Sequence, residues 1–352
     1  MLRYRDAVAA RDAGAVQSLI DRLLADGLDP VTVLTDVIAA VQRDNGERWQ
    51  RGEWTIAEEH AATAMAVAAT KAVSRHVRSV APTRGRVLVA CAEREWHALP
   101  AMIIDCTLRS DGWDSILMGA ATSPVRLNQY LQDYGPEAVA VSCSVLGSLP
   151  ATRRFIEAST AAGTPIVVGG PAFGSDDVRA KALGATAWAA DAHGALTAVA
   201  SLPPVVPPVS PLPPRAAAEQ ADLEHDHRAI VDELAASWSV TAGGRLDATD
   251  RAMAIDALNQ LLHAVSAVLL TGDSRPIPET VAWIADVVTT RGLAASVVDE
   301  LWHGIGGTAQ LPPVARHPRH PLRRRPLTAR RRGMVALPSG VEPFGRGHRV
   351  TG

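Results

Sequence analysis

Cysteine is nearly absent: Cys91, Cys106 and Cys143 are the three in a chain of 352 residues. They are scattered through apolar stretches. That excludes a disulfide framework and a cysteine zinc site, and predicts buried thiols in a reducing, cytoplasmic setting. No apolar run reaches the roughly 18–20 residues that cross a bilayer, so no membrane span is expected. The opening stretch MLRYRDAVAARDAG carries acids and no continuous apolar core, unlike a signal peptide. The first strand-like run is not followed by G-x-G-x-x-G, which excludes a dinucleotide fingerprint. No internal repeat is present.

Net charge is also nearly absent, at −2, but the balance conceals an asymmetry. Residues 309–352 hold ten arginines and one glutamate, or +9, which leaves 25 basic and 36 acidic side chains, or −11, in the rest. An acidic body argues against a large nucleic-acid-binding face and leaves the Arg-rich tail as the one segment suited to that role.

What is present divides by hydrophobic period. Residues 1–80 read as a helical bundle. Leu19, Ile20, Leu23 and Leu24, and then Val31, Val33, Leu34, Val37, Ile38 and Val41, recur at helical spacing. An alanine-rich helix follows from Thr55 to Val77. Residues 85–200 switch to short apolar runs at Val87–Cys91, Ser115–Met118, Ala138–Ser142, Ile166–Val168 and Thr186–Ala189. Helical segments at Ala98–Ser110, Val125–Tyr134, Pro150–Ala162 and Ser175–Leu183 separate them. Continuous apolar strands alternating with helices predict a parallel sheet covered on both faces, an α/β flavodoxin-like doubly wound domain. Residues 201–215, with seven prolines, predict a semi-rigid extended linker. Residues 216–308 predict an all-α domain with helices at Ala216–Ser237, Ala248–Leu270, Pro278–Arg291 and Ala294–Ile305. Residues 309–352 predict a disordered tail.

In an open α/β sheet the ligand sits beyond the carboxyl ends of the strands. Three stretches fall there: Glu95-Trp96-His97 after the first strand, Ser142-Cys143-Ser144 after the third, and Gly169-Gly170 after the fourth. Hydroxyls and glycines at strand ends admit the close approach of a large ligand. Together they resemble the cobalamin-binding domain family, whose hallmark is Asp-x-His-x-x-Gly followed by a serine element and a Gly-Gly. The resemblance implies a cobalamin cofactor, adenosylcobalamin or methylcobalamin, with His97 as the lower cobalt ligand and Glu95 as the acid that polarises it. The cofactor's nucleotide tail would then run between Ser142 and Ser144 on one side and Gly169 and Gly170 on the other. Two positions depart from the pattern. Glu95 stands for the aspartate, with a longer reach, and Pro100 stands for the glycine, which puts a tail contact there in doubt.

Upstream, Trp49 is followed by a Gly52 turn and then by Glu59-His60 early in a helix. On residue type alone Trp49 and Trp54 read as bundle core and His60 as surface. The spacing is similar to that in cobalamin-dependent light-sensing regulators, where such a bundle caps the upper face of the corrin. By that resemblance Trp49, Ile56, Glu59 and His60 would line the upper-ligand pocket. Gln50 occupies the place where some of these photoreceptors carry a histidine, and an amide is a poor cobalt ligand beside imidazole. The implied role is a sensor that is not itself an enzyme and acts through a protein partner such as a transcription regulator, with a homo-oligomer possible. The alternative is a corrinoid methyl carrier that serves a methyltransferase. In the C-terminal segment, Glu224-His225-Asp226-His227 reads as a solvated helix start, since alternating residues on a helix face different ways. Trp238, Trp283 and Trp302 read as core, and His263 as a satisfied core histidine.

Overall fold

A computed structural model of the chain describes residues 1–241 and 248–292. The expected helix at 294–305, Trp302 and the Arg-rich tail lie outside the described residues, as does the side chain of Trp238.

The N-terminal segment folds as antiparallel helices whose starts are written locally. Helix α1 (Leu2–Ala9) leads into α2 (Ala13–Ala25), which Asp12 caps by accepting the Ala15 N–H at 2.8 Å. Asp29 caps α3 (Pro30–Thr32) in the same way, with Pro30 in the first turn. The backbone stays helical through a π-helical stretch, Val33–Ala39, into α4 (Ala40–Gln50). Helix α5 (Ile56–Val77) opens on a reciprocal capping box: the Glu58 carboxylate accepts the Thr55 N–H at 2.8 Å, and the Glu58 N–H donates to Thr55 Oγ1 at 3.3 Å. Tyr4, Ile20, Leu34, Ile38, Ala69 and Val73 form the sealed centre of this bundle.

The α/β part holds five parallel strands: β1 (Arg86–Cys91), β2 (Asp114–Gly119), β3 (Ala138–Ser142), β4 (Ile166–Gly169) and β5 (Ala187–Ala189). Their order is β2-β1-β3-β4-β5, the flavodoxin-like arrangement. The apolar runs alternate between two cores. Leu88, Ala90, Val139, Val141 and Val168 face helices α7 (Pro124–Tyr134), α8 (Leu149–Ala161) and α9 (Val178–Ala182). Val87, Val89, Ala138, Ala140 and Val167 face α6 (Ala98–Ser110) and α10 (Ala192–Ala200). With both faces buried, the strands have no polar side, so they read as continuous apolar runs. Helix α6 is covered on two sides, since Ala101 and Leu108 face the sheet while Leu99, Ile103 and Cys106 face the bundle. The expected helix at 175–183 is shorter, starting at Val178. Helix α10 follows an Asp191 cap that accepts the Gly194 N–H. All three cysteines are buried, and burial pushes the Cys91 and Cys106 thiols up to about 12.

The proline-rich connector is extended up to Pro214 but does not swing free. Val206 N–H bonds to the Gly163 carbonyl, Val209 N–H bonds to Thr160 Oγ1, and the buried Arg153 donates to the Ser210 carbonyl at 2.6 Å. Proline leaves few backbone donors, so these contacts pin the segment to the α8 side of the sheet. Helices α11 (Pro214–Thr241), α12 (Ala248–Thr271) and α13 (Pro276–Thr290) pack around Leu223, Ile230, Leu258, Leu261, Leu262, Val265 and Ile284. By length and composition Arg251–Thr271 is apolar enough to cross a bilayer, against the expectation from apolar runs. It is 67 % buried inside the protein, as a core helix is. Ala264, Ala267 and Leu270 of α12 complete the core on the α8 face, so the C-terminal helices share a core with the sheet.

The Glu224–His227 stretch is not a solvated helix start. It lies well inside α11, with His227 half-buried and His225 and Asp226 exposed. Glu224 faces Arg154 at 3.6 Å. His227 Nε2 contacts Asn259 Oδ1 at 2.8 Å, and its ring stacks on His263 at 4.9 Å. The alternation itself holds, since His225 faces outward while α11 presents His227 to α12. Burial, with help from His227 and Arg94, pushes His263 down to about 3 from 6.5. The unfolded chain binds that proton below pH 6.5 and the native chain does not, so stability is full above 6.5 and falls as the pH drops toward 3. Urea unfolding should show stability falling by about 1.4 kcal/mol per pH unit below pH 6 through this group. The slope should flatten in His263→Phe; an unchanged slope in that variant contradicts the assignment.

Candidate functional site

The sheet order places the topological switch between β1 and β3, where adjacent crossovers leave in opposite directions and a crevice opens at the strand ends. Cys91 pairs in register with Ser142, and Ser142 with Gly169. The three stretches singled out in the sequence therefore leave the sheet side by side.

After β1 the chain turns sharply, with Arg94 at φ 67, a conformation uncommon outside glycine. The turn carries Glu95 into the protein, where it is fully buried. Both of its oxygens are engaged. Glu95 Oε1 accepts the His97 backbone N–H at 2.8 Å and faces His97 Nδ1 at 2.6 Å. Glu95 Oε2 accepts the Ser144 N–H, and the Val145 N–H at 3.3 Å. A carboxylate accepts only, so the contact assigns the proton to Nδ1 and the lone pair to Nε2. His97 occupies the N-cap position of α6, and Pro100 sits inside the first turn of that helix, which tolerates proline. Trp96, beside it, is 63 % exposed.

On the neighbouring loop Ser142 and Ser144 are buried. The Ser144 and Ser148 hydroxyls are buried with no hydrogen-bond partner. Buried hydroxyls are normally satisfied, so two orphans on one loop mark a place where polar groups of a ligand fit. The two glycines answer to close backbone packing. A Cβ at Gly169 would sit 2.6 Å from the Ala189 carbonyl oxygen. At Gly170, with φ 106, it would sit 2.4 Å from that of Cys143.

The four upper-pocket candidates sit in different surroundings. Glu59 is buried inside the bundle, accepting from Gln42 Nε2 at 3.0 Å and Thr63 Oγ1 at 2.7 Å. His60 lies next to it on the outside, exposed, with Nε2 4.0 Å from Glu59. Trp49 and Ile56 leave the bundle core and pack with Trp283 and Val287 of α13. Trp54 packs against the bundle core and stacks under Arg48. Sequence reasoning missed the partners of Trp49, which come from over 230 residues away along the chain with no local signal. His263 was also missed as a contact: its ring abuts Gly147 on the serine loop. Among the described residues no group of three or more His, Cys, Asp and Glu side chains could hold a metal ion.

Comparison with known proteins finds likeness in domain and in fold. Residues 85–200 match a B12 binding domain model, and residues 2–73 match a second B12 binding domain model. The HTH-type transcriptional repressor CarH of Myxococcus xanthus is 29% identical over 169 residues, 47% of this chain and 56% of the relative. The chain therefore spans about half the length of that curated relative. Among solved structures, the Methanosarcina barkeri monomethylamine corrinoid protein superposes with a TM-score of 0.51 at 15% identity, covering 56% of this chain and 96% of that one. At that identity the likeness is one of fold.

Removing the Glu95 carboxylate strands three backbone amides and an imidazole N–H. Glu95→Ala should cost about 3 kcal/mol in urea unfolding. It should also speed hydrogen exchange of the amides of His97, Ser144 and Val145 together. Loss of protection at His97 with none at Ser144 would contradict a shared carboxylate.

Proposed function

We propose that the chain is a cobalamin-binding sensor whose lower cobalt ligand is His97, a reading supported by the B12 binding domain models that match residues 2–73 and 85–200. The observation that carries the proposal is the Glu95–His97 pair. The buried carboxylate holds Nδ1 and turns the Nε2 lone pair into the donor, the arrangement that orients imidazole toward a transition metal. The cofactor would supply a cobalt centre with an exchangeable upper ligand. This chain's residues bind and orient it. His97 Nε2 would hold the cobalt, and Glu95 would fix the tautomer and raise the basicity of the ring. The orphan hydroxyls of Ser144 and Ser148 offer polar partners to the tail.

The sensor reading rests on the bundle. The match to a B12 binding domain model over residues 2–73, which fold here as helices, and the similarity to a transcriptional repressor favour regulation through the upper face. Trp49 and Ile56 would meet the upper ligand, and Glu59 and His60 would flank it. Gln50 beside Trp49 leaves the illuminated state to water or to a residue elsewhere. Output would pass to a protein partner or through self-association.

Titration of the purified chain with adenosylcobalamin in the dark should give saturable binding with the absorption of a displaced benzimidazole. Affinity should fall at least about tenfold in His97→Ala, and about 10–100-fold in Glu95→Gln. Illumination of the complex should change its spectrum, and its oligomeric state by size-exclusion chromatography. Binding that His97→Ala leaves unaltered contradicts the ligand assignment. A complex inert to light contradicts photosensing and leaves cofactor binding standing.

A further inference from the structure

Helix α13 connects the two halves between which the family's cofactor lies. Its N-terminal end is fastened to the sheet side by charges. Arg179 on α9 is fully buried. It donates to Asp273 at 2.9 Å, to Glu279 at 2.7 Å and to the Ala172 carbonyl at 3.1 Å. Arg275 binds Asp273 at 2.8 Å and Asp176 at 2.9 Å. The Arg179–Asp273 pair is buried, so breaking either partner is costly, while Arg275, Asp176 and Glu279 are partly exposed and add charge-assisted hydrogen bonds around it.

The other end is fastened to the bundle at the expected upper wall. The Trp283 ring lies 6.4 Å from that of Trp49, tilted by 30°. Arg291 places its guanidinium 4.5 Å from the centre of the Trp49 ring and donates to the Trp49 carbonyl at 3.2 Å. Thr290 Oγ1 donates to the Gln50 carbonyl at 3.0 Å. Trp49 is left 8 % exposed. These contacts are apolar packing of Trp49 and Ile56 on Trp283 and Val287 together with aromatic, cation–π and single hydrogen bonds, the last three each worth on the order of 1 kcal/mol. The bundle end of α13 is held without any ion pair, whereas its N-terminal end is held by a buried one.

A wall residue already covered by an internal helix meets a ligand only when that helix gives way. We infer that the C-terminal half of α13 is an internal occupant of the upper-ligand wall, excluded from Trp49 by a bulky upper ligand and docked there otherwise. The inference rests on the sensor reading. A ligand seated on Trp49 has differential affinity for the two positions of α13, which is the requirement for shifting a conformational equilibrium. The charged anchor at Arg179, Asp273 and Arg275 stays in place as the pivot, so the upper ligand is read out as undocking of residues 283–291.

The test compares adenosylcobalamin with hydroxocobalamin, whose upper ligand is small. Hydrogen exchange on the full chain should show amides of residues 283–291 losing protection about tenfold or more with adenosylcobalamin in the dark and staying unchanged with hydroxocobalamin. Trp283→Ala and Arg291→Ala should each bind adenosylcobalamin several-fold more tightly and bind hydroxocobalamin within twofold of the unaltered chain, which also reports that the variants are folded. Equal protection with both cofactors, added protection with adenosylcobalamin, or variants with unaltered preference would overturn the inference while the cobalamin reading stands. A chain that binds neither cofactor sinks both.

Discussion

One buried carboxylate organises the strand-end site. Glu95 has no exposed surface, and its two oxygens divide their acceptor capacity between two loops, His97 on one side and the amides of Ser144 and Val145 on the other. A charge taken out of water is tolerated only when donors surround it, and here the donors are the pieces that have to be held together. The same contact fixes the tautomer of His97. Orientation of the imidazole and closure of the serine loop are thus one interaction, and neither can be altered alone.

Helix α6 carries that local order outward. It begins at His97, presses Ala101 and Leu108 onto the sheet, and gives Leu99, Ile103 and Cys106 to the bundle. The histidine loop is anchored at the junction of two packed cores, where small displacements are resisted from both sides. The C-terminal helices add a third contact surface, with His263 against Gly147 near the serine loop and α13 spanning from the α9 edge to Trp49. The site lies among three structural units instead of at the surface of one.

The α/β fold was readable because burial on both faces turns its strands into runs such as Val87–Cys91, bounded by polar turns. The observed strands differ from those runs by no more than one residue at any end. The contact of Glu95 with His97 was readable because the two stand one residue apart in the turn after the first strand, in a pattern that resembles the cobalamin-binding motif. Three features were not readable. The second role of Glu95, as acceptor for the serine-loop amides, depends on the adjacency of β1 and β3, which no local pattern encodes. Gly169 and Gly170, expected beside a tail, are also needed where backbones meet at Ala189 and Cys143. The burial of Trp49 under Trp283 and Arg291 joins residues more than 230 positions apart, and the bundle pattern carried no trace of it.

The central claim is that a nitrogen of His97 binds cobalt. It is tested most directly by electron paramagnetic resonance of the protein-bound cobalt(II) form of the cofactor, in chain made with 15N-labelled histidine and in unlabelled chain. The account predicts axial superhyperfine triplets in the unlabelled protein that become doublets on labelling and disappear in His97→Ala. Triplets that persist in the labelled chain would place the cofactor's own base on the metal and contradict it.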